Sequence, residues 1–295
     1  MTVRVPATSA NLGPGFDALG LALDLADEVT VTVTADGLLL DVTGEGEATA
    51  GDGESHLVVR SLRAALDRLG VPQPTGLHLS CRNVIPHGRG LGSSSAAICA
   101  GVVGARLLAG LPADPAADLQ LAAELEGHPD NVAPCLFGGA TAAWTDHAGA
   151  HAARLAVDPA LRPVALIPTG SSQATSAARA ALPATVPHAL AARTAGRAAL
   201  LVAALAGQPE LLLPATADEL HQPFRVAAGS DGERLLAHLR NAGVAAVLSG
   251  SGPTVLALAV DAPGEALAAA APAELRLDGW VVRPLAVDPA GARAG

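Results

Sequence analysis

Between positions 86 and 97 the chain reads Pro-His-Gly-Arg-Gly-Leu-Gly-Ser-Ser-Ser-Ala-Ala. Glycines at alternate positions, Gly88, Gly90 and Gly92, let backbone N–H groups approach an anion closely. The small residues from Ser93 onward suit a helix, whose N-terminus adds partial positive charge. Hydroxyls at Ser93, Ser94 and Ser95 can reach phosphate oxygens or Mg²⁺. The chemistry implied is polyphosphate binding, with Pro86, His87, Gly88, Arg89, Gly90, Leu91, Gly92, Ser93, Ser94, Ser95 and Ala96 as its candidates. The spacing is Gly-x-Gly-x-Gly, not Gly-x-Gly-x-x-Gly, and no acidic residue follows convincingly at the ribose-binding distance, so a dinucleotide fingerprint is rejected. A tight turn before a core helix is the structural alternative.

Four other stretches carry polar groups in chemically useful company. Pro6-Ala-Thr-Ser-Ala-Asn-Leu-Gly-Pro-Gly-Phe-Asp17 places Asn11 and Asp17 around a Gly-Pro-Gly turn just after a strand. Both side chains can converge on a polar ligand there, although Asn and Asp also form such turns for their own sake. Glu126-Gly-His-Pro-Asp-Asn-Val-Ala-Pro134 sets Glu126, His128, Asp130 and Asn131 within one short turn at a helix end. A surface cap would look similar, but this segment runs directly into apolar residues. Arg179, in Thr175-x-x-x-Arg179, and Arg225, in His221-Gln-Pro-Phe-Arg225, carry planar guanidiniums suited to bidentate carboxylate recognition. Any single arginine is more often a solvated surface group.

Composition removes competing chemistries. All 18 basic residues are arginine and lysine is absent, which excludes a Walker A phosphate loop, Schiff-base catalysis and a protein-kinase site. A net charge of -10 disfavours nucleic acid or anionic lipid as partner. The absence of tyrosine and the presence of only five Phe and Trp residues argue against a stacking platform for single strands. Cys81, Cys99 and Cys135 are too few and scattered for a disulfide framework or zinc site and read as core thiols. Charges interrupt every long apolar run, and no secretory signal opens the chain, so a cytoplasmic protein with no membrane segment is expected.

The elements that must position these groups read as α+β. Strands are expected at 3–5, around Val29, Val31 and Val33, and around Leu77, Leu79 and Cys81, with a helix from His56 to Leu69 between them. Ser93 to Leu108, small and apolar all round, reads as a buried helix, and Pro115 to Glu126 as another. Gly138 to Thr145 is strand-like, and His147 to Asp158 suits a junction, so domains of 1–155 and 156–295 are expected. The second half offers strands at 164–167, 244–248, 254–260 and 280–283, with alanine-rich helices between, one opening on Pro187 in its first turn.

Three stretches resemble the GHMP kinases, the first of them in the form found in the homoserine-phosphorylating branch of that family. They are Pro6 to Asp17, Pro86 to Ala97 as the ATP loop, and Leu248-Ser-Gly-Ser-Gly-Pro-Thr254 as the third motif. Glu126 to Ala133 is similar to the same branch nearly residue for residue. The resemblance implies a two-domain fold, an S5-like N-terminal ATP-binding domain and a ferredoxin-like C-terminal substrate domain. It implies transfer of the ATP γ-phosphoryl group to the hydroxyl of L-homoserine, on the route to threonine. By the same likeness Asn11, Asp17, Thr175, Arg179 and Arg225 contact the amino-acid substrate, Ser94 and Glu126 hold Mg²⁺, and Asn131 faces the hydroxyl with Asp130 and His128 beside it. Members are often dimers, so a homodimer is among the assemblies it allows. The rivals are a mevalonate- or sugar-type kinase of the same family, and a non-catalytic nucleotide-binding protein on the same fold.

Overall fold

Alternating apolar residues bury one face of a long antiparallel ribbon. In the computed structural model, which describes residues 1–47, 53–170, 172–173 and 175–295, that ribbon is β1 (Thr2–Ala10) with β2 (Leu19–Thr34). Then come β3 (Gly37–Gly44), α1 (Leu57–Leu69), β4 (Gly76–Asn83), α2 (Ser93–Leu108), α3 (Pro115–Glu126), α4 (Pro129–Phe137), β5 (Ala140–Asp146) and β6 (Gly149–Leu155). The 16 residues of β2 serve two neighbours on one edge: its end pairs β4 and its beginning pairs β5. β3 lies parallel to β4, and β6 closes a hairpin with β5. Gly101 lets α2 lie against α1, because a Cβ there would stand 2.5 Å from the Val58 carbonyl oxygen.

The rest of the chain builds a second sheet. In order it contributes β7 (Arg162–Pro168), α5 (Thr175–Ala180), α6 (His188–Leu205), α7 (Leu212–Ala215), α8 (Gln222–Arg225), α9 (Asp231–Asn241), β8 (Ala245–Leu248), β9 (Val255–Ala259), α10 (Ala262–Glu274), β10 (Trp280–Pro284) and β11 (Arg293–Ala294). The order β10-β7-β9-β8, all antiparallel, is the split βαββαβ arrangement of ferredoxin-like folds. Leu235, Leu239, Ala268 and Ala271 pack with Val164, Leu166, Val255 and Ala257 in its core. No helix among the described residues is long and apolar enough to cross a membrane.

Several elements differ from the sequence expectation. Residues 149–155, expected within a junction, form β6, because alanines opposite alanines let the hairpin close although the apolar signal is weak. Pro129 opens a helix of nine residues where a short turn is expected. Pro187 is the N-cap of α6 and not within its first turn. β3 has no counterpart in the sequence reading, since its apolar positions are only half-buried. All three cysteines are free and buried.

The chain end returns to the first sheet, where β11 pairs with β1. Asp288 fastens this return. Its side chain accepts N–H bonds from Ala290 and Gly291, both at 2.9 Å, and an ion pair from Arg4 at 2.8 Å, with Arg293 at 3.3 Å. Burial pushes its pKa up, but the two N–H groups and two guanidiniums more than offset that and hold it below the ordinary value. A depressed folded-state pKa means stability that is full above the unfolded value and lost as pH falls through the folded one. Asp288→Asn removes a charge-assisted contact worth about 1.5–3 kcal/mol. The variant should melt several degrees below wild type at pH 7, and differential scanning calorimetry should find that gap shrinking below about pH 4.

Candidate active site

The glycine-rich loop is held from three directions. Buried Asp27 accepts the N–H groups of Val84 at 2.6 Å and Ile85 at 2.9 Å, fixing the entry to the loop just before Pro86. Burial raises its pKa, against the lowering effect of those two N–H bonds. The Leu91 carbonyl accepts from Thr8 N–H at 3.0 Å in β1. Ser249, in the turn between β8 and β9, donates through Oγ to the Gly90 carbonyl at 2.6 Å. Gly90, at φ 76°, has no room for a side chain, as a Cβ would stand 2.2 Å from the Ser249 carbonyl oxygen.

These contacts hold the loop at the mouth of α2, in a cleft of about 470 Å³. Of the loop candidates, Pro86 through Ser94 line it, while Ser95 and Ala96 are fully buried beneath and do not. Glu126, at the end of α3, also lines the cleft. Its Oε1 accepts from Ser94 Oγ at 2.8 Å and from Ser95 Oγ at 2.7 Å. Exposed Ser94 and buried Ser95 therefore grip one carboxylate oxygen from opposite sides.

His128, Asp130 and Asn131 enter the same cleft from the first turn of α4. His128 Nδ1 lies 2.7 Å from Asp130 Oδ1. That bond raises the His128 pKa, against its partial burial. Asn131 Oδ1 accepts from Thr8 Oγ1 at 2.8 Å, which leaves its amide N–H donors for the cleft.

The remaining predicted groups gather at the other end. Asn11 and Asp17 both have left-handed backbones, φ 71° and 55°, a conformation that Asn and Asp tolerate better than most residues. Asn11 Oδ1 accepts from Asp17 N–H at 3.0 Å, and its Nδ2 donates to the Gly250 carbonyl at 2.9 Å. Arg179 makes a bidentate ion pair with Asp17, at 2.8 and 2.9 Å. Arg225 is 8 % exposed, and its Nε has no hydrogen-bond partner among the described residues. Burial lowers its pKa, and Asp17 offsets part of that shift. Phe16 carries both guanidiniums, with Arg225 Cζ 5.0 Å and Arg179 Cζ 5.6 Å from its ring centroid, a cation–π arrangement. Asn11, Asp17, Arg179 and Arg225 all line the cleft. The side chain of Thr175 lies outside the described residues.

Sequence reasoning missed four groups here. Thr8 and Phe16 lie inside the motif that supplied Asn11 and Asp17, and His221 lies inside the one that supplied Arg225. In each motif the charged residue drew the reading. His56 lines the cleft with a buried Nδ1 that has no hydrogen-bond partner among the described residues. It precedes α1, and no local pattern marks it.

A phosphate loop at a helix start, a ferredoxin-like sheet and a carboxylate gripped by two hydroxyls define a GHMP-type kinase site. The GHMP kinases N terminal domain matches residues 56–139. Homoserine kinase of Streptomyces avermitilis is 53% identical over 98% of this chain and 94% of its own, and that of Clavibacter michiganensis is 50% identical over 98% and 92%. The crystal structure of homoserine kinase from Cytophaga hutchinsonii superposes with a TM-score of 0.88 at 28% identity, covering 99% of this chain and 96% of that one. Mevalonate kinase of L. major shares the fold, at a TM-score of 0.76 and 15% identity. The chain belongs to the homoserine kinase branch of the GHMP kinase family.

Gly90→Ala tests the loop contact. It forces a side chain onto a left-handed backbone and against the Ser249 carbonyl, a combined cost of roughly 2 kcal/mol or more. Thermal unfolding should report a lower Tm, and ATP titration a KM raised roughly tenfold or more.

Proposed function

We propose that the protein transfers the γ-phosphoryl group of ATP to the side-chain hydroxyl of L-homoserine, releasing ADP and O-phospho-L-homoserine, the precursor of threonine. The observation that carries this reading is Arg225. A buried guanidinium with no carboxylate in ion-pair contact among the described residues is costly unless an anion completes it. Arg179 and Asp17, now paired, are the two charges that an amino-acid zwitterion would separate. Its ammonium takes Asp17 and its carboxylate takes Arg179 and Arg225. A mevalonate or sugar substrate has no use for an acidic group beside two arginines.

The hard oxygen donors of Glu126 and Ser94 fit Mg²⁺, which prefers one or two carboxylates together with phosphate and water oxygens. Bound there, Mg²⁺ would neutralise charge on the β- and γ-phosphates. Ser94 is the hydroxyl that faces the cleft, and Ser95 supports Glu126 from below. Asn131, with its Oδ1 committed to Thr8, donates an N–H to the homoserine hydroxyl and holds it in line. No side chain need act as a dedicated base, because a loose transition state asks for little deprotonation before the leaving-group bond breaks. We infer that residues 1–155 bind ATP and residues 156–295 contribute the carboxylate-binding arginines, in a cytoplasmic enzyme with no nucleic-acid or membrane partner.

Coupled ADP release across homoserine, mevalonate, shikimate, galactose and no acceptor tests the reading, and homoserine should dominate. Arg225→Ala and Arg179→Ala should each lower homoserine kcat/KM roughly 10- to 150-fold while ATP binding barely changes, the loss of one charge-assisted contact of ~1.5–3 kcal/mol. Unchanged kcat/KM in both would sink the carboxylate assignment. Glu126→Gln keeps size and removes charge, so kcat should fall about 100-fold or more and activity should shift to higher Mg²⁺. The same rate and Mg²⁺ dependence as wild type would exclude Glu126 as a ligand.

A further inference from the structure

His221 belongs to none of the groups assigned above to ATP, Mg²⁺ or homoserine, yet it is wholly buried where three parts of the site meet. Its Nε2 lies 2.9 Å from the Gly13 carbonyl oxygen. A carbonyl can only accept, so Nε2 carries the proton and the Nδ1 lone pair is left free. That lone pair faces Arg225 Nη1 at 3.4 Å. The ring stacks on Phe16, with centroids 5.2 Å apart and planes 30° from parallel. Asp218 Oδ2 is 3.4 Å from Nε2, but this carboxylate is committed to the N–H groups of Leu220, His221 and Gln222, which start α8.

The same contacts close a circuit. Arg225 Nη1 also donates to the Gly250 carbonyl at 3.3 Å. That carbonyl accepts from Asn11, and Asn11 in turn accepts from the Asp17 N–H. His221 joins the two ends, since it touches Arg225 on one side and the Gly13-to-Asp17 turn on the other.

We propose that His221, as its Nε2–H tautomer, is a positioning residue for homoserine specificity: it aims the Arg225 guanidinium at the substrate carboxylate and ties that aim to the turn carrying Asp17. The proposal rests on the assignment of Arg225 to the carboxylate. An arginine side chain carries several rotatable bonds, and without a partner it would collapse onto the nearest acid, as Arg179 does on Asp17. A carboxylate at position 221 would orient Arg225 but also neutralise it. A neutral imidazole supplies an acceptor and a flat face while leaving the full positive charge for the substrate. Burial favours that neutral state by pushing the His221 pKa below its ordinary value, with Asp218 opposing.

Two amide substitutions separate the two ring nitrogens. His221→Gln places an N–H near the Nε2 position and loses the acceptor for Arg225, whereas His221→Asn places a carbonyl near Nδ1 and loses the Gly13 bond. With Arg225→Gln as reference, homoserine KM, ATP KM and kcat are measured on purified full-length variants whose folding is checked by Tm. The expected result for His221→Gln is a homoserine KM about 10-fold higher, with ATP KM and kcat within about 3-fold of wild type, and His221→Asn recovering most of the loss. If Arg225→Gln raises homoserine KM but His221→Gln does not, the positioning role is wrong and the carboxylate assignment stands. If Arg225→Gln leaves homoserine KM unchanged, the assignment fails and this inference fails with it. Equal loss in Gln and Asn variants, with ATP KM moving in parallel or neither variant folding while Arg225→Gln folds, assigns His221 a structural role only and overturns the proposal.

Discussion

Two backbones in van der Waals contact set the geometry of the whole site. The phosphate loop passes Gly90 against the turn at Ser249 to Gly252, so closely that the Ser249 and Gly252 carbonyl oxygens occupy the space of a side chain at 90. The turn belongs to the second sheet, whereas the loop leaves the first sheet and enters α2. Ser249 Oγ bridges them, donating to the Gly90 carbonyl and meeting Ser9 Oγ at 2.9 Å in β1. Gly250 N–H bonds to the Ala10 carbonyl at 3.1 Å, one residue before Asn11. The relative placement of the two sheets and the placement of the phosphate loop are therefore the same constraint. The phosphate loop and the Asn11-to-Asp17 turn are thereby tied to one another through the turn at Ser249.

The second organising feature is electrostatic. In a chain of net charge -10 without lysine, Arg179 and Arg225 bring two positive charges over one aromatic ring at the Asp17 end of the cleft. They are not equivalent. Arg179 is half-exposed and already paired with Asp17, and an exposed pair contributes only about 0–1 kcal/mol, so breaking it for a ligand costs little. Arg225 is already desolvated and unneutralised, so an incoming carboxylate meets a group whose water has been removed in advance. One arginine supplies an exchangeable partner and the other a fixed one, and together they favour a ligand with both charges over a ligand with one.

Much of this was legible in the sequence, for identifiable reasons. α2 and α3 run over the residues expected, since a long small-residue run and an Asp114 cap followed by proline leave little choice. Asn11, Asp17, Glu126, Asn131, Arg179 and Arg225 do line one cleft. What stayed hidden is tertiary. β6 reads Gly-Ala-His-Ala-Ala-Arg-Leu, with no β-branched or aromatic residue except His, so its strand character comes from the partner it pairs with. His221 looks like any polar residue before a short helix until the Gly13 carbonyl and Phe16 arrive from more than two hundred positions away. The Asp17–Arg179 ion pair, 162 residues apart in sequence, is likewise invisible without the fold.

The arrangement around Asn131 bears on the proposal that the alcohol is phosphorylated without a dedicated base. Thr8 holds Asn131 by its oxygen, so the amide meets the cleft as a donor, able to fix a hydroxyl oxygen but unable to take its proton. The neighbouring acid, Asp130, is buried, and its Oδ1 lies within hydrogen-bond distance of His128 Nδ1. That contact occupies Asp130 Oδ1 and raises the His128 pKa. On the function proposed above, the burden falls on alignment and charge: the loop amides, the carboxylate bonded by Ser94 and Ser95, and an acceptor that two arginines would anchor at its far end. Anchoring that far end would fix the direction in which the hydroxyl points, so that binding energy from the carboxylate would be expressed as alignment at the phosphorus.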